Sequence, residues 1–150
     1  MIHVGFVGTR RGMRPDQRSA VYLLLRGLYR DAGITLHHGD GIGADAEFHE
    51  LARKVFGPDS WIVGHPSTHN LRAFCEFDEE RDRLPPLERN RVIVEAADIV
   101  LAAPYEMTEQ ERDDTWHDDT WNTIRIAREL ARELVIVYPD GSVKEEKGNQ

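Results

Sequence analysis

Arg10, Arg11 and Arg14 sit in the run Gly8-Thr9-Arg10-Arg11-Gly12-Met13-Arg14, and Asp40 and Asp45 in His38-Gly39-Asp40-Gly41-Ile42-Gly43-Ala44-Asp45. A guanidinium grips phosphate bidentately and keeps its proton, so the first run suits a nucleotide. A solvated basic turn is its plain alternative. In the second run the glycines Gly39, Gly41 and Gly43 let a backbone turn tightly and approach a ligand without Cβ interference. A segment with helical apolar spacing follows, and its free N–H groups and positive dipole end favour an anion. Asp40 and Asp45 are placed to hold ribose hydroxyls, to steer a base or to move a proton, although Asp45 equally suits the first turn of a helix. The loop reads G-x-G-x-G, which is not the dinucleotide fingerprint, and no Walker lysine follows it.

Three further groups have the chemistry of a site. His37 and His38 are metal-ligand types, but neighbours on a strand face opposite sides, so no metal is expected and His38 is read as a ligand contact. Glu88-Arg89-Asn90-Arg91 offers Arg89 and Asn90 from a helix, whereas Glu88 and Arg91 fit an ion pair on one helical face. Asp119 and Thr120 open another helix, either as its N-cap or as a second anion-binding end.

The elements that position these residues follow from punctuation and periodicity. His3 to Val7 reads as a strand. A helix starts at Pro15 and ends near Gly33, with Ala20, Leu24 and Leu28 at helical spacing. Thr35 to His38 is a strand leading through the glycine loop into a helix stopped by Gly57-Pro58, and Trp61 to His65 is a third strand stopped by Pro66. Residues 67–86 read as an irregular loop with at most one helical turn, long enough to suggest a role. Leu87 to Ala97 reads as helix, and Ile99 to Ala103 as a strand closed by Pro104. Residues 105–119 form an acidic insertion in which Asp-Asp-Thr-Trp occurs at 113–116 and again at 118–121. Trp121, Ile124, Ala127 and Ala131 mark a helix, and Leu134 to Tyr138 a strand. Alternating strands and helices call for an α/β, doubly wound, Rossmann-like parallel sheet of about five strands, in the order 3-2-1-4-5, with helices on both faces. The loops at 8–12, 39–45 and 103–120 then converge at the switch point, where such sheets bind ligands.

Composition narrows the functions further. With 150 residues, 40% hydrophobic and 31% charged, residues 1–141 are expected to fold as one domain and residues 142–150 to form a charged, disordered tail. A formal charge of −8 argues against a long nucleic-acid partner. No apolar run is long enough for a membrane. The single cysteine, Cys75, and the absence of a leader pattern suggest a cytoplasmic protein.

Together the motifs resemble the SLOG superfamily, Rossmann-like proteins related to DprA and to the Lonely Guy phosphoribohydrolases, and in particular its small stand-alone bacterial or phage members. The matching residues are Gly8 to Met13, His38-Gly39-Asp40 with Gly43-Ala44-Asp45, Arg89-Asn90, Asp98, Thr120-Trp121 with Thr123, and Pro139-Asp140-Gly141. The resemblance implies a nucleotide or nucleotide-derived phosphoribosyl ligand, no separate cofactor, and a homodimer or higher homo-oligomer. Lonely Guy enzymes cleave an N-glycosidic bond with an arginine and a glutamate. Glu88-Arg89 resembles their arginine-bearing helix, but Asn90 stands where they have lysine, Asp119 where they have glycine, and Thr123 where they have the glutamate.

With that carboxylate missing, binding is placed ahead of catalysis. The expected function is a nucleotide sensor or sequestering module, holding its ligand through Gly8, Thr9, Arg10, Arg11, His38, Gly39, Asp40, Gly43, Ala44, Asp45, Arg89, Asn90, Pro104 and Thr120. The alternative is a nucleotide N-glycosidase in which Asp45, Asp119 and Arg89 do the chemistry, and the second alternative a protein-interaction module with a vestigial cleft. Gly43→Val is expected to block the phosphate and leave the fold intact.

Overall fold

The computed structural model describes residues 1–28, 33–69, 71–113, 115 and 118–148. The expected end of the first helix and part of the first Asp-Asp-Thr-Trp copy fall outside them. In chain order the strands are β1 (Ile2–Gly8), β2 (Ile34–His38), β3 (Trp61–Gly64), β4 (Glu79–Glu80), β5 (Ile99–Ala103), β6 (Glu133–Val137) and β7 (Val143–Glu146). They form one sheet ordered β4-β3-β2-β1-β5-β6-β7, parallel throughout except for the antiparallel β7. The class is therefore the expected one, and the five apolar strands take the expected order. The strand count is larger because both edges carry a short charged strand.

Both edge strands correct the sequence reading for a physical reason. β4 consists of two glutamates in a segment read as loop, and it pairs with β3 at Val63 and Gly64. β7 lies in the segment expected to be a disordered tail. Pro139-Asp140-Gly141-Ser142 makes a tight turn, with Tyr138 N–H donating to the Ser142 carbonyl and Asp140 accepting from the Ser142 N–H and hydroxyl. Glu146 then takes a two-pronged hydrogen bond from Arg128, at 2.9 and 2.8 Å. Edge strands need only one apolar side at most, so neither shows the apolar run that marks a central parallel strand.

Four helices cover the sheet: α1 (Pro15–Gly27), α2 (Ala44–Phe56), α3 (Pro86–Ala96) and α4 (Thr120–Glu129). Pairs α1/α2 and α3/α4 pack on opposite faces. Under the first pair, Phe6 of β1 stacks on Phe48 of α2 at 4.3 Å between ring centres, with Leu25, Leu36 and Ile62 around them. Under the second, Val94, Trp121, Ile124, Leu134 and Ile136 form the other core. The strict alternation of β1 divides the two, with Val4 and Phe6 facing one core and Val7 the other.

Gln17 ties the first helix to the carboxyl end of the sheet. Its Oε1 accepts from the Arg14 N–H at 3.2 Å, which closes the start of α1, and Pro15 supplies the first helical residue. Its amide nitrogen donates to the carbonyls of Pro104 and Val137, each at 2.8 Å, just beyond β5 and at the end of β6. Gln17 is only 1% exposed, so these carbonyls have no water to turn to. Gln17→Ala is expected to cost about 2–4 kcal/mol in urea unfolding, because it strands buried acceptors and opens a cavity. A change below about 0.5 kcal/mol would show that the strand ends do not depend on it.

Candidate functional site

A cleft opens at the carboxyl ends of β1 and β2, between the N-termini of α2 and α4, with α3 as its back wall. Gly8 lines it from β1, Gly39 from the loop after β2, Asp45 from α2, Arg89 and Asn90 from α3, and Asp119 and Thr120 from α4; Arg10 and Ile42 line it from the flanking loops. Its cavity volume is about 40 Å³. The cleft is therefore narrow as it stands, and a ligand larger than a few atoms needs its lining side chains to move.

Arg89 anchors the back wall. It is 7% exposed, and its Nη1 donates to the Gly39 carbonyl at 2.7 Å and to the His65 carbonyl at 3.1 Å. Its Nε donates to Asn90 Oδ1 at 2.7 Å. A Cβ on Gly39 would lie 2.7 Å from the guanidinium carbon, so only glycine lets the arginine cross this strand end. Burial lowers the Arg89 pKa, while Asp45 and Asp119 favour its charge.

The carboxylates opposite are just as constrained. Burial pushes the Asp45 carboxyl up to about 6, against the pull of Arg89 and a hydrogen bond from the Gly41 N–H at 3.0 Å. Asp119 is also raised by burial, with Arg10 and Arg89 opposing the shift. Asp118, which sequence reasoning missed as a site residue, lines the cleft and closes α4: its Oδ1 accepts from the Thr120 N–H at 3.0 Å and the Thr120 hydroxyl at 2.6 Å. Its signal was the doubled aspartate before Thr120, of which only the second was weighed. Thr123 lines the cleft as well, fully buried, with its hydroxyl donating to the Asp119 carbonyl. Two guanidinium groups thus face three carboxylates across a narrow gap, an arrangement suited to hydroxyls, to a cation, or to an anion that brings a proton.

Of the sequence candidates, Gly8, Arg10, Gly39, Asp45, Arg89, Asn90, Asp119 and Thr120 meet in this cleft, and seven others lie outside its lining. Thr9 is fully buried; its hydroxyl accepts from the Arg11 N–H and its carbonyl from the Ala44 N–H at 2.9 Å. The first N–H of α2 is thus spent on protein, and Ala44 packs in the core. Arg11 lies over the Tyr105 ring at 4.1 Å and pairs with Asp113. Pro104 offers its carbonyl to Gln17. Asp40, fully buried, accepts from Arg72 Nε at 2.8 Å and from the Cys75 N–H at 2.9 Å, so it ties the 66–86 segment over the strand ends. Gly43 has φ +83°, and a Cβ there would lie 2.8 Å from the Thr9 carbonyl oxygen, so its glycine serves the packing of α2 on the first loop.

His38 is corrected most clearly. It is fully buried, and its Nδ1 accepts from the Asp40 N–H at 3.0 Å. The proton of the neutral ring is therefore on Nε2, donated to His49 Nδ1 at 2.8 Å. Burial holds His38 well below the usual imidazole range. His38, His49 and Cys75 bring possible ligand atoms within 4.8 Å of one another. Coordination through His38 Nε2 would turn Nδ1 into an N–H facing the Asp40 N–H, the reverse of the outward donation that metal-bound imidazoles make. Burial and the neighbouring Asp40 also push the Cys75 thiol up to about 12, which opposes a thiolate ligand.

No family model and no curated protein matches the chain. Solved structures with the same Rossmann-like fold do match. One is the structural-genomics target TM1055, at a TM-score of 0.61 and 18% identity over 89% of this chain and 72% of that one. Another is the molybdenum cofactor binding protein from the phototrophic bacterium Rippkaea orientalis, at 0.62 and 19% over 91% and 76%. The molybdenum cofactor carrier protein from Chlamydomonas reinhardtii follows, at 0.57 and 14% over 91% and 76%. At these identities the likeness is one of fold. Among the described residues, no helix is long and apolar enough to cross a membrane.

Two outcomes follow from the geometry. Gly43→Val is now expected to destabilise the fold by about 2–4 kcal/mol, through positive φ and the clash with the first loop, and is no longer a selective block on a ligand. A variant with unchanged denaturation would contradict that packing. Asp45→Asn keeps an acceptor for Gly41 and removes a carboxylate held up to about 6 from an ordinary 3.8. Because the folded state raises this pKa, the stability carried by the protonated form is complete below 3.8 and lost as pH rises through 6. Asp45→Asn should therefore gain up to about 3 kcal/mol near pH 7.5 and almost nothing at pH values below that of the free carboxyl. Urea titrations at the two extremes measure the difference, and a gain independent of pH would remove the strained carboxylate.

Proposed function

We propose that the chain is a SLOG-type binding protein, acting in the cytoplasm as a sensor or sequestering module for a nucleotide or a related phosphoribosyl ligand. The observation that carries this reading is the meeting of Arg10 and Arg89 with Asp45 and Asp119 across a glycine-walled cleft at the switch point of the sheet. Arg89 has committed two of its three nitrogens to protein acceptors, so Arg10, on the loop after β1, is the main phosphate contact. Asp45 and Asp119 then suit sugar hydroxyls. The molybdenum cofactor of two similar structures belongs in the same ligand panel. It is not the leading reading, because no thiol lines this cleft among the described residues and little space is open.

A second reading has one specific observation in its favour, the Asp45 carboxyl at about 6 beside the raised Asp119. A carboxyl poised near neutrality is what acid–base cleavage of an N-glycosidic bond requires. Thr123, where Lonely Guy enzymes carry their glutamate, is a buried hydroxyl and supplies no such group.

Melting temperatures separate these readings. Nucleoside monophosphates should raise Tm more than the matching nucleosides do, and Arg10→Ala should abolish the difference. Equal shifts for both classes, or none across the panel, would remove the phosphate site. An anion beside Asp45 favours its protonated form, so affinity should fall between about pH 6 and pH 8 in the native chain and fall less in Asp45→Asn. The native chain is expected to release no free base from simple nucleoside monophosphates. Base release lost by two to three decades in Asp45→Asn or Asp119→Asn would promote the enzyme instead.

A further inference from the structure

Phe74 is placed where core packing gives no reason for a phenyl ring. It is 72% exposed, and unlike Phe77 it packs against neither core. Its backbone lies in the left-handed region at φ +57°, which a residue with a Cβ adopts only when its surroundings impose it. Asp40 imposes it here. The Ala73 N–H donates to the Asp40 carbonyl and the Cys75 N–H to the Asp40 carboxylate, each at 2.9 Å, so both neighbours of Phe74 are clamped to the glycine loop. The Arg72 guanidinium lies 4.6 Å from the centre of the phenyl ring, itself fixed by Asp40 at 2.8 Å and Glu80 at 2.7 Å. A strained backbone and two ion pairs thus hold one apolar ring in solvent, with a cation beside it.

We infer that Phe74 is the platform on which the planar base of the ligand stacks. The inference rests on the nucleotide reading given above and adds the residue that would meet the base. Position supports it. Gly41 pairs with Arg72 as an isolated antiparallel bridge, and Gly39 and Gly41, on either side of Asp40, both line the cleft. Cys75, next to Phe74, is close enough to Asp45 for that carboxylate to help raise its thiol. Arg10 lies at the other end of the glycine loop, with its carbonyl against Gly43. From Arg10 past Asp45 to Phe74 the chain therefore offers a phosphate contact, a carboxylate for sugar hydroxyls and an aromatic ring. That is the order in which a nucleotide carries its phosphate, sugar and base. A phenyl ring offers area and no hydrogen bond, so it selects for planarity and not for one base. The clamp at Asp40 also means that the ring loses little freedom when a base covers it.

Calorimetric titration of the full chain with adenosine monophosphate and with ribose 5-phosphate tests this. The native chain should bind the nucleotide at least about five-fold more tightly than the sugar phosphate. Phe74→Ala and Phe74→Gly should each reduce the nucleotide to the affinity of ribose 5-phosphate and leave the latter unchanged. Phe74→Trp should keep the preference. Without ligand, Phe74→Gly should melt no lower than the native chain, because glycine accepts the left-handed backbone and no packing is lost. A preference that survives in Phe74→Ala, an equal loss for both ligands, or a clearly lower melting temperature in Phe74→Gly would each overturn the proposal. Equal binding of the two ligands by the native chain would sink the stacking and leave the phosphate site standing, whereas binding of neither would sink both.

Discussion

A guanidinium at 7% exposure keeps its charge only where acceptors and opposite charges surround it, and the carboxyl end of this sheet is arranged to give Arg89 both. The Gly39 and His65 carbonyls, at the ends of β2 and β3, converge on one of its nitrogens, and the Asn90 amide oxygen receives another. Removing the side chain would release two strand ends at once. That dependence extends outward. Gly39 must be glycine for the arginine to pass, the next residue, Asp40, sits in the left-handed region at φ +57°, and its carboxylate then holds Arg72 and Cys75 of the long segment above. One buried cation therefore organises the glycine loop, the back of the cleft and the crossing segment.

The same cation explains the carboxylates. Asp45 and Asp119 are desolvated enough to rise in pKa, and the charges of Arg89 and Arg10 keep that rise in check. Both aspartates favour the charge of Arg89, whose own hydrogen bonds go to the Gly39 and His65 carbonyls and to Asn90. Burial in the cleft nonetheless raises both carboxyls above the ordinary range, a cost to the free protein. Strain of this kind is what a binding or reacting group accepts for its ligand, and it is the physical reason for reading the cleft as functional.

The central strands were legible because each parallel strand is a short apolar run stopped by glycine, proline or aspartate, and the order 3-2-1-4-5 follows from their alternation with helices. Glu79–Glu80 and Val143–Glu146 were not legible, because an edge strand held by Arg128 and Glu146 or by two backbone pairs looks like a charged loop. Within the site, the loops that meet were legible and the direction of their side chains was not. Thr9, His38 and Asp40 have the polarity of ligand contacts, yet each turns inward to satisfy buried backbone groups. Arg10 and Asp119, of similar character, turn to the cleft. Residue type cannot distinguish the two cases, since a buried N–H and a ligand hydroxyl ask for the same acceptor.

Histidine makes the same point from the other side of the sheet. His37 and His38, adjacent in β2, do face opposite ways, and each begins a chain of imidazoles: His3–His37–His65 on one face at 3.0 and 2.9 Å, and His38–His49 on the other at 2.8 Å. A neutral imidazole has one donor and one acceptor, so such chains close only while the rings stay uncharged. Burial enforces that by lowering His37 to about 4 and His65 to about 3, with His38 and His49 shifted the same way. Because these folded-state values lie below the ordinary 6.5, their contribution to stability is complete above 6.5 and is lost as pH falls towards the lowered values. Asp45 acts with the opposite sign over an overlapping range, gaining as pH falls from 6 to 3.8. The buried histidines of this sheet therefore favour neutral pH, while Asp45 and Asp119 in the cleft favour acid.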